Sequence, residues 1–234
     1  MSGKYDALRE EALAANLEIP KLGLALFTWG NASAFDPASG VFAIKPSGLE
    51  YDRLTPDSMV VVDLDGKVAE GAMRPSSDTK THAVLYRTFP GIRGICHTHS
   101  TYAVAWAQAR LPIPCFGTTH ADQADGAVPC TAVIRPEAVE KDYEEGTGRL
   151  IAETFAGRDP LRIPMTIVAG HGPFAWGETA GKAVKNAAAL EEVARMAYLT
   201  LSINPDAPEL PEYVLRKHWE RKHGDGAYYG QPNR

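Results

Sequence analysis

Apolar and polar positions follow two kinds of pattern along the chain, one typical of helices and one typical of strands. In residues 5–18, Leu8, Ala12, Leu13 and Leu17 recur at helical spacing with charged residues between them. This pattern predicts an amphipathic helix that ends before Pro20. Similar patterns predict further helices over residues 79–89, 102–109, 136–156 and 179–202, and a last helix after the Pro-rich connector 204–211.

Short runs rich in β-branched, aromatic and other apolar residues predict strands between these helices. They cover residues 24–29, 41–46, 59–64, 94–100 and 163–170. No internal repeat, low-complexity tract or flexible linker divides the chain. We therefore expect one α/β or α+β domain over residues 1–234, with the C-terminal helix and tail at about 211–234.

Composition and charge narrow the class of protein. Of 234 residues, 44% are apolar and 23% charged, and the formal net charge is −5, which argues against a nucleic-acid-binding surface. No apolar run reaches the roughly 18 residues of a membrane span, and the start lacks a signal-peptide core. Cys96, Cys115 and Cys130 form no C-x-x-C pair, so we expect reduced thiols and a cytoplasmic protein.

Histidines supply the strongest chemical signal. His97 and His99 are two residues apart in a predicted strand, so both side chains should point to one face and form half of a metal site. His171 follows a predicted strand and lies between two glycines, and Asp78 precedes a predicted helix. Each has a structural alternative: backbone-bonded histidines, a turn histidine and a helix cap. Taken together, three imidazoles and one carboxylate are typical of a catalytic divalent-metal site with room for substrate oxygens.

A second group of residues is suited to anions. Turn or helix-start dipeptides with free N–H groups can bind phosphate, and Lys45 at a strand end can add a positive charge. Each dipeptide alone is also compatible with an ordinary turn, and a strand-end lysine is usually only solvated. The dipeptides are Gly30-Asn31, Ser47-Gly48 and Ser76-Ser77.

Two polar segments have less specific patterns. Residues 216–223 form a basic stretch that usually marks a solvated helix face, yet Tyr228 and Tyr229 follow it and could belong to a docked tail with a tyrosine acid/base. Residues 118–122 place His120 and Asp122 in a predicted loop, either as ordinary turn residues or as a proton relay.

Seven strings in register, from about residue 5 to 231, resemble the class II aldolase family, and within it the pentulose-phosphate 4-epimerases. They are TWGNASA, IKPSG, PSSDT-x-TH, HTHS, GTTHAD, GHGPFAWG and KH-x-x-RKHG-x-x-AYYGQ. The resemblance implies a three-layer α/β/α domain with a central, largely antiparallel sheet. It also implies a C4 homotetramer with active sites between neighbouring subunits.

Site roles follow from the same resemblance, position by position. It implies one divalent metal ion per subunit, typically zinc, with manganese or cobalt as alternatives, and Asp122 and Tyr229 as an acid/base pair reaching in from the adjacent subunit. His218 and Arg221 would line the same site as substrate-binding residues, with the arginine near the phosphate. The implied metal ligands are Asp78, His97, His99 and His171, and the implied phosphate-binding residues are Gly30, Asn31, Lys45, Ser47, Gly48, Ser76 and Ser77.

The implied activity is retro-aldol epimerisation at C4, interconverting L-ribulose 5-phosphate and D-xylulose 5-phosphate, as in L-arabinose catabolism. The main alternative is a fuculose-phosphate-type aldolase. In that group a glutamate stands where this chain has Asp78, and the counterpart of Asp122 is lacking. A non-catalytic interaction module like the aldolase-like head of adducin and a metal-dependent hydrolase are further alternatives. Residues 123–126 lack the aromatic residues expected after Asp122 in the epimerases, which leaves a related pentulose or hexulose phosphate open as substrate.

Overall fold

A central seven-stranded sheet organises the molecule. The computed structural model describes residues 3–224 and 226–230, so Asp225 and residues 231–234 of the predicted tail lie outside the described residues. All paired strands are antiparallel, in the order β4-β3-β2-β1-β5-β7-β6. The strands are β1 (Asn31–Asp36), β2 (Val41–Ile44), β3 (Val60–Asp63), β4 (Val68–Glu70), β5 (Gly94–His97), β6 (Met165–Ile167) and β7 (Pro173–Gly177).

Helices cover both faces of this sheet. In the described residues they are α1 (Asp6–Lys21), α2 (Thr79–Thr88), α3 (Thr101–Ala109), α4 (Thr118–Ala121), α5 (Pro136–Thr154), α6 (Ala180–Ile203) and α7 (Glu212–His223), with short 3-10 turns at Tyr51–Arg53 and Pro56–Ser58. None of these helices is long and apolar enough to cross a membrane.

Two apolar cores lie on opposite faces of the sheet because successive strand residues point to opposite sides. In β2, Ala43 belongs to the core shared with α1, α3 and α6, whereas Phe42 and Ile44 belong to the core shared with α2 and α5. In β7, Ala175 and Trp176 divide in the same way. The expected three-layer α/β/α arrangement with an antiparallel sheet is confirmed.

The predicted strand at residues 24–29 is wrong. Phe27 has a φ of +50°, in the left-handed region that a strand cannot contain, and its side chain is 72% exposed. The segment instead forms an irregular loop that ends at Gly30. The strand follows directly after it, at Asn31–Asp36.

Several element boundaries also differ from those predicted. Helix α1 continues through Pro20 because only one N–H is lost there, and the N–H groups of Leu22 and Gly23 still bond back to Glu18 and Pro20. The strand predicted over 163–170 is confined to Met165–Ile167, since Gly170 has a φ of +72° in a tight turn. Strands β4 and β7 were not among the predicted strands.

Candidate active site

Three histidines converge at one end of the sheet. His97 is the last residue of β5, His99 lies two residues beyond it, and His171 lies in the turn between β6 and β7. One potential ligand atom of each lies within 4.8 Å of the others, and the Nε2 atoms of His97 and His99 are 3.1 Å apart. The prediction that both imidazoles share one strand is wrong, because β5 ends at His97, but the predicted convergence is present.

The His97 ring is held in the tautomer that a metal ligand requires. Its Nδ1 lies 2.8 Å from the carbonyl oxygen of Pro173, which can only accept, so Nδ1 carries the proton. Phe174 stacks on the ring at 4.2 Å between centroids and fixes its plane. The lone pair of Nε2 therefore faces His99 and His171. This donor set fits a divalent transition metal ion.

Burial keeps all three imidazoles neutral near pH 7. It lowers the pKa of His97 and of His99, and together with the nearby His97 it lowers the pKa of His171 to about 4. Neutral imidazole is the form that binds metal ions.

Asp78 lines the same pocket but belongs to a different hydrogen-bond group. It occupies the N-cap position of α2 yet makes no capping hydrogen bond, so the helix-cap alternative is not what its carboxylate does. Instead Oδ2 accepts a 2.6 Å hydrogen bond from Nδ2 of Asn31. Burial alone would raise the pKa of Asp78, but the neighbouring imidazoles of His97 and His82 and the hydrogen bond from Asn31 hold it below its usual value. Its carboxylate is not among the ligand atoms grouped within 4.8 Å.

The histidines and Asp78 open onto a pocket of about 390 Å³. Seven of the nine predicted substrate- and phosphate-binding residues are among those that line it, and His218 and Arg221 are not. The lining residues are Thr28, Trp29, Gly30, Asn31, Lys45, Pro46, Ser47, Gly48, Ser76, Ser77, Asp78, His97, His99, Tyr143, Glu144 and His171.

Among the described residues that line this pocket, Lys45 supplies the positive charge. The residue is only 2% exposed, and its ammonium group donates to the carbonyl oxygen of Thr28 at 3.2 Å and lies 5.0 Å from the Tyr51 ring centroid. Burial lowers the pKa of Lys45. In the described part of the chain no carboxylate lies within ion-pair distance of it, so its charge is available to an anion in the pocket.

Asn31 and Ser76 complete this wall through close strand packing. The backbone of Gly30 lies so close to β5 that a Cβ on Gly30 would be 2.7 Å from the His97 carbonyl oxygen. The next residue, Asn31, is paired with His97 across β1 and β5. The Ser76 hydroxyl accepts from Asn31 Nδ2 at 3.1 Å and from the Asp78 N–H at 3.3 Å. Its own proton is therefore free to be donated to a bound anion.

Asp122 belongs to a second polar cluster, formed by α4 and α7. Arg221 binds its carboxylate through two hydrogen bonds of 2.6 and 3.1 Å, and His218 Nδ1 lies 3.0 Å from Oδ1. Burial would raise the pKa of Asp122, but the hydrogen bonds from Arg221 and His218 hold it below its usual value. The predicted loop at residues 118–122 is wrong, because residues 118–121 form a short helix with Asp122 at its C-cap.

The described end of the tail folds back on α7. The N–H groups of Tyr228 and Tyr229 both donate to the Arg221 carbonyl oxygen, at 3.0 and 3.1 Å, and the Tyr229 ring lies 5.1 Å from the Arg221 guanidinium. Tyr229 is 61% exposed. Within one described chain, Asp122, His218, Arg221 and Tyr229 are absent from the residues that line the histidine pocket.

Sequence reasoning missed Tyr143 and Glu144, which line the histidine pocket from α5. The Tyr143 hydroxyl is 3.4 Å from His171 Nδ1. A signal for them exists within the predicted helix 136–156: Asp142-x-x-Glu145 has the spacing of a capping box, which marks a helix start. Trp29, whose ring lies 6.1 Å from that of His99, was also missed as a separate site residue.

Comparisons with known proteins agree with this geometry. The family model described as class II aldolase and adducin N-terminal domain matches residues 10–198. Relatives from Salmonella paratyphi A and Salmonella typhi, both named L-ribulose-5-phosphate 4-epimerase UlaF, are 51% identical over 224 residues, covering 96% of this chain and 98% of each relative.

Solved structures give the same picture at lower identity. An L-fuculose 1-phosphate aldolase superposes with a TM-score of 0.80 at 25% identity, over 94% of this chain and 97% of that one. YgbL from Klebsiella pneumoniae superposes with a TM-score of 0.73 at 28% identity, over 92% of this chain and 99% of that one.

Proposed function

Because the chain belongs to the class II aldolase and adducin N-terminal domain family, we propose that it is a metal-dependent 4-epimerase acting on L-ribulose 5-phosphate and D-xylulose 5-phosphate. The observation that carries this proposal is the pocket itself, in which three neutral imidazoles face a wall formed by Lys45, Asn31 and Ser76. One side suits a metal ion and the other a phosphate group. The enzyme is thus an isomerase whose substrate is a phosphorylated sugar.

We propose His97, His99 and His171 as metal ligands, with Asp78 beside them, and zinc as the ion because a three-imidazole set with an open position suits it. When bound, the ion supplies Lewis acidity to the ketose oxygens. Asn31 holds Asp78 in place, and the Pro173 carbonyl holds His97.

The phosphate wall retains the substrate while the sugar is rearranged. Lys45 contributes a buried charge, Ser76 contributes a free hydroxyl proton, and Gly48, with a φ of +68° and no atom near its missing Cβ, leaves open space for the phosphate oxygens. The phosphate belongs to the aldehyde fragment, which must rotate between bond cleavage and bond formation. Binding of the phosphate therefore keeps this fragment in the pocket during the rotation.

Proton transfer requires two groups on opposite sides of the substrate. A base removes the C4 hydroxyl proton, and the C3–C4 bonding electrons move toward the C2 carbonyl, giving an enediolate and glycolaldehyde phosphate. The aldehyde rotates, the bond re-forms on its other face, and an acid protonates the new alkoxide. We assign these roles to Asp122 and Tyr229, with His218 and Arg221 beside them.

Since Asp122 and Tyr229 do not line the pocket of their own chain, we propose that they act on a neighbouring subunit in a homotetramer. Mixing two inactive variants tests this assignment. His97→Asn removes a metal ligand and Tyr229→Phe removes an acid/base hydroxyl. After subunit exchange at equal amounts, about a quarter of the intersubunit sites combine both intact parts, so activity should reappear. Continued inactivity of the mixed tetramers would contradict intersubunit sites.

The free cysteines Cys96, Cys115 and Cys130 support a cytoplasmic location, where thiols stay reduced.

An aldolase acting on a fuculose-type phosphate is the second candidate, favoured by the L-fuculose 1-phosphate aldolase superposition. The shorter Asp78, in place of the glutamate of aldolases, and the presence of Asp122 support the epimerase. All four residues that the resemblance implies as metal ligands are present in the sequence, which speaks against a non-catalytic interaction module.

One assay separates these candidates. Purified protein is incubated with L-ribulose 5-phosphate, and D-xylulose 5-phosphate is measured before chelation, after chelation, and after zinc or manganese is restored. We expect conversion that chelation abolishes and metal restores. Conversion unaffected by chelator would overturn the metal assignment. Release of aldehyde from L-fuculose 1-phosphate, with L-ribulose 5-phosphate untouched, would establish the aldolase instead.

A further inference from the structure

Helix α5 is divided into two parts by a side-chain cap in its middle. Asp142 has extended backbone angles, with φ −172° and ψ 102°, and its Oδ1 accepts a 3.0 Å hydrogen bond from the Glu145 N–H. Lys80, from the first turn of α2, forms an ion pair with Oδ2 of the same carboxylate. The second part of α5 therefore starts at a defined residue, Asp142, rather than continuing from Pro136.

Helix α2 also fixes the position of this new start. The Thr81 hydroxyl donates a 2.7 Å hydrogen bond to the Glu144 carbonyl oxygen. Further along, the absence of a side chain on Gly148 lets the two helices touch, because a Cβ there would lie 2.8 Å from Cβ of Val84. Since α2 begins directly after Asp78, the start of the second part of α5 is anchored beside the candidate metal site.

This anchoring places Tyr143, the first residue after the cap, against His171. The two ring centroids are 6.0 Å apart, and the Tyr143 hydroxyl lies 3.4 Å from His171 Nδ1, at the long end of hydrogen-bond distances. In the described residues, no other atom is hydrogen-bonded to the His171 ring. His97, by contrast, is oriented by the Pro173 carbonyl.

We propose that Tyr143 is a positioning residue for His171. Its hydroxyl oxygen accepts a hydrogen bond from the Nδ1–H of His171 and so holds Nε2 toward His97 and His99. Metal-binding histidines generally need such a partner on the second ring nitrogen, which fixes the tautomer and the orientation of the ring. The Lys80–Asp142 ion pair acts on His171 indirectly, because it fixes the position of Tyr143. The inference rests on the proposed metal site, but not on the identity of the sugar.

Metal affinity measured without substrate tests the proposal. Zinc is titrated into the metal-free full-length protein in competition with a chromophoric chelator. Tyr143→Phe, which removes one oxygen atom, should weaken zinc binding by about 10- to 100-fold. Tyr198→Phe, which removes a hydroxyl from an exposed tyrosine of α6, is the matched control and should bind zinc like the wild type.

A second pair of variants tests the cap. Lys80→Met removes the ion pair to Asp142 and should weaken zinc binding in the same direction, by a smaller factor. Arg87→Met is its control, because Arg87 lies on the same helix and its 3.2 Å ion pair with Asp65 is exposed. Melting curves of the metal-free variants identify any that fail to fold. Cobalt-substituted protein adds a spectroscopic readout, since a rotated His171 changes the ligand-field bands.

The outcomes separate this inference from the proposed function. If wild-type protein binds zinc and folded Tyr143→Phe binds it equally well with an unchanged cobalt spectrum, the positioning role is refuted and the metal site stands. If wild-type protein binds no divalent ion, both fall. Zinc binding weakened in Tyr143→Phe but unchanged in Tyr198→Phe supports the assignment.

Discussion

Replacing Lys45 by methionine tests the proposed phosphate contact of this residue separately from the metal site. The Lys45 side chain is almost completely buried, and within the described part of the chain its ammonium group has one hydrogen-bond partner, the Thr28 carbonyl oxygen. Methionine has a similar length and no charge. The substitution therefore removes the cation without opening a large cavity and without leaving a carboxylate unpaired.

The size of the effect follows from the kind of contact that is lost. A hydrogen bond to a charged group contributes about 1.5–3 kcal/mol, and each 1.4 kcal/mol corresponds to a factor of about ten. KM for L-ribulose 5-phosphate should thus rise by about 10- to 150-fold. Burial lowers the pKa of Lys45, so the folded protein disfavours this ammonium group. The melting temperature of the free protein should therefore stay the same or rise in Lys45→Met.

Steady-state kinetics with phosphorylated and non-phosphorylated substrates provide the assay. Lys45→Met should raise KM for L-ribulose 5-phosphate and leave the much slower turnover of L-ribulose unchanged, because only the phosphate contact is lost. Zinc content should match that of the wild type. An unchanged KM for the phosphorylated sugar, or an equal loss with both sugars, would refute the assignment of Lys45 to the phosphate.

Three further predictions concern the second polar cluster and the core. Tyr229→Phe should retain zinc and lose turnover in the epimerase assay, and unchanged turnover would remove Tyr229 from the mechanism. Asp122→Asn should lower the melting temperature at neutral pH; because Arg221 and His218 hold the pKa of Asp122 below its unfolded value of about 3.9, the difference from wild type should shrink as the pH falls below about 4. A melting-temperature difference from wild type that stays the same at low pH would contradict this predicted pH dependence. Gly94→Ala should destabilise the protein by about 1–3 kcal/mol or more in denaturant unfolding, since its Cβ would lie 2.4 Å from the Ala180 backbone, whereas Gly181→Ala, with open space around the Cβ, should cost nothing.

The fold could be predicted from the sequence where periodicity is strong. The helical patterns and the apolar runs before Pro46 and Leu64 correspond to real elements. Strand β7 was missed because PFAWG begins with a proline and ends with a glycine, residues that usually mark turns and loops. At residues 24–29 the error was the opposite, because a strand was predicted where none exists. Leu26, Phe27 and Trp29 are apolar, but they are exposed on the irregular loop before Gly30.

The candidate site could be assembled from the sequence only in part. His97 and His99 are neighbours in the chain, so local geometry suffices to bring them together. Tyr143 contacts His171 from the helix that starts again at Asp142, whose carboxylate caps the new start and forms an ion pair with Lys80. Such a contact depends on the packing of α5 against α2, which periodicity does not encode. The proposed action of Asp122 on the pocket of a neighbouring subunit is likewise absent from the local pattern.

Charge inside the pocket links phosphate binding to metal binding. Among the described residues, the charged side chains that line it are one cation, Lys45, and two carboxylates, Asp78 and Glu144, which give it a negative balance like that of the whole chain. A bound dication reverses that sign, and the start of α2 adds the positive end of a helix dipole. The phosphorylated sugar and the metal ion must therefore increase each other's affinity, since coupling between two sites is reciprocal. An acidic protein can in this way hold an anionic substrate, because the local field of the loaded site, and not the net charge, sets the affinity.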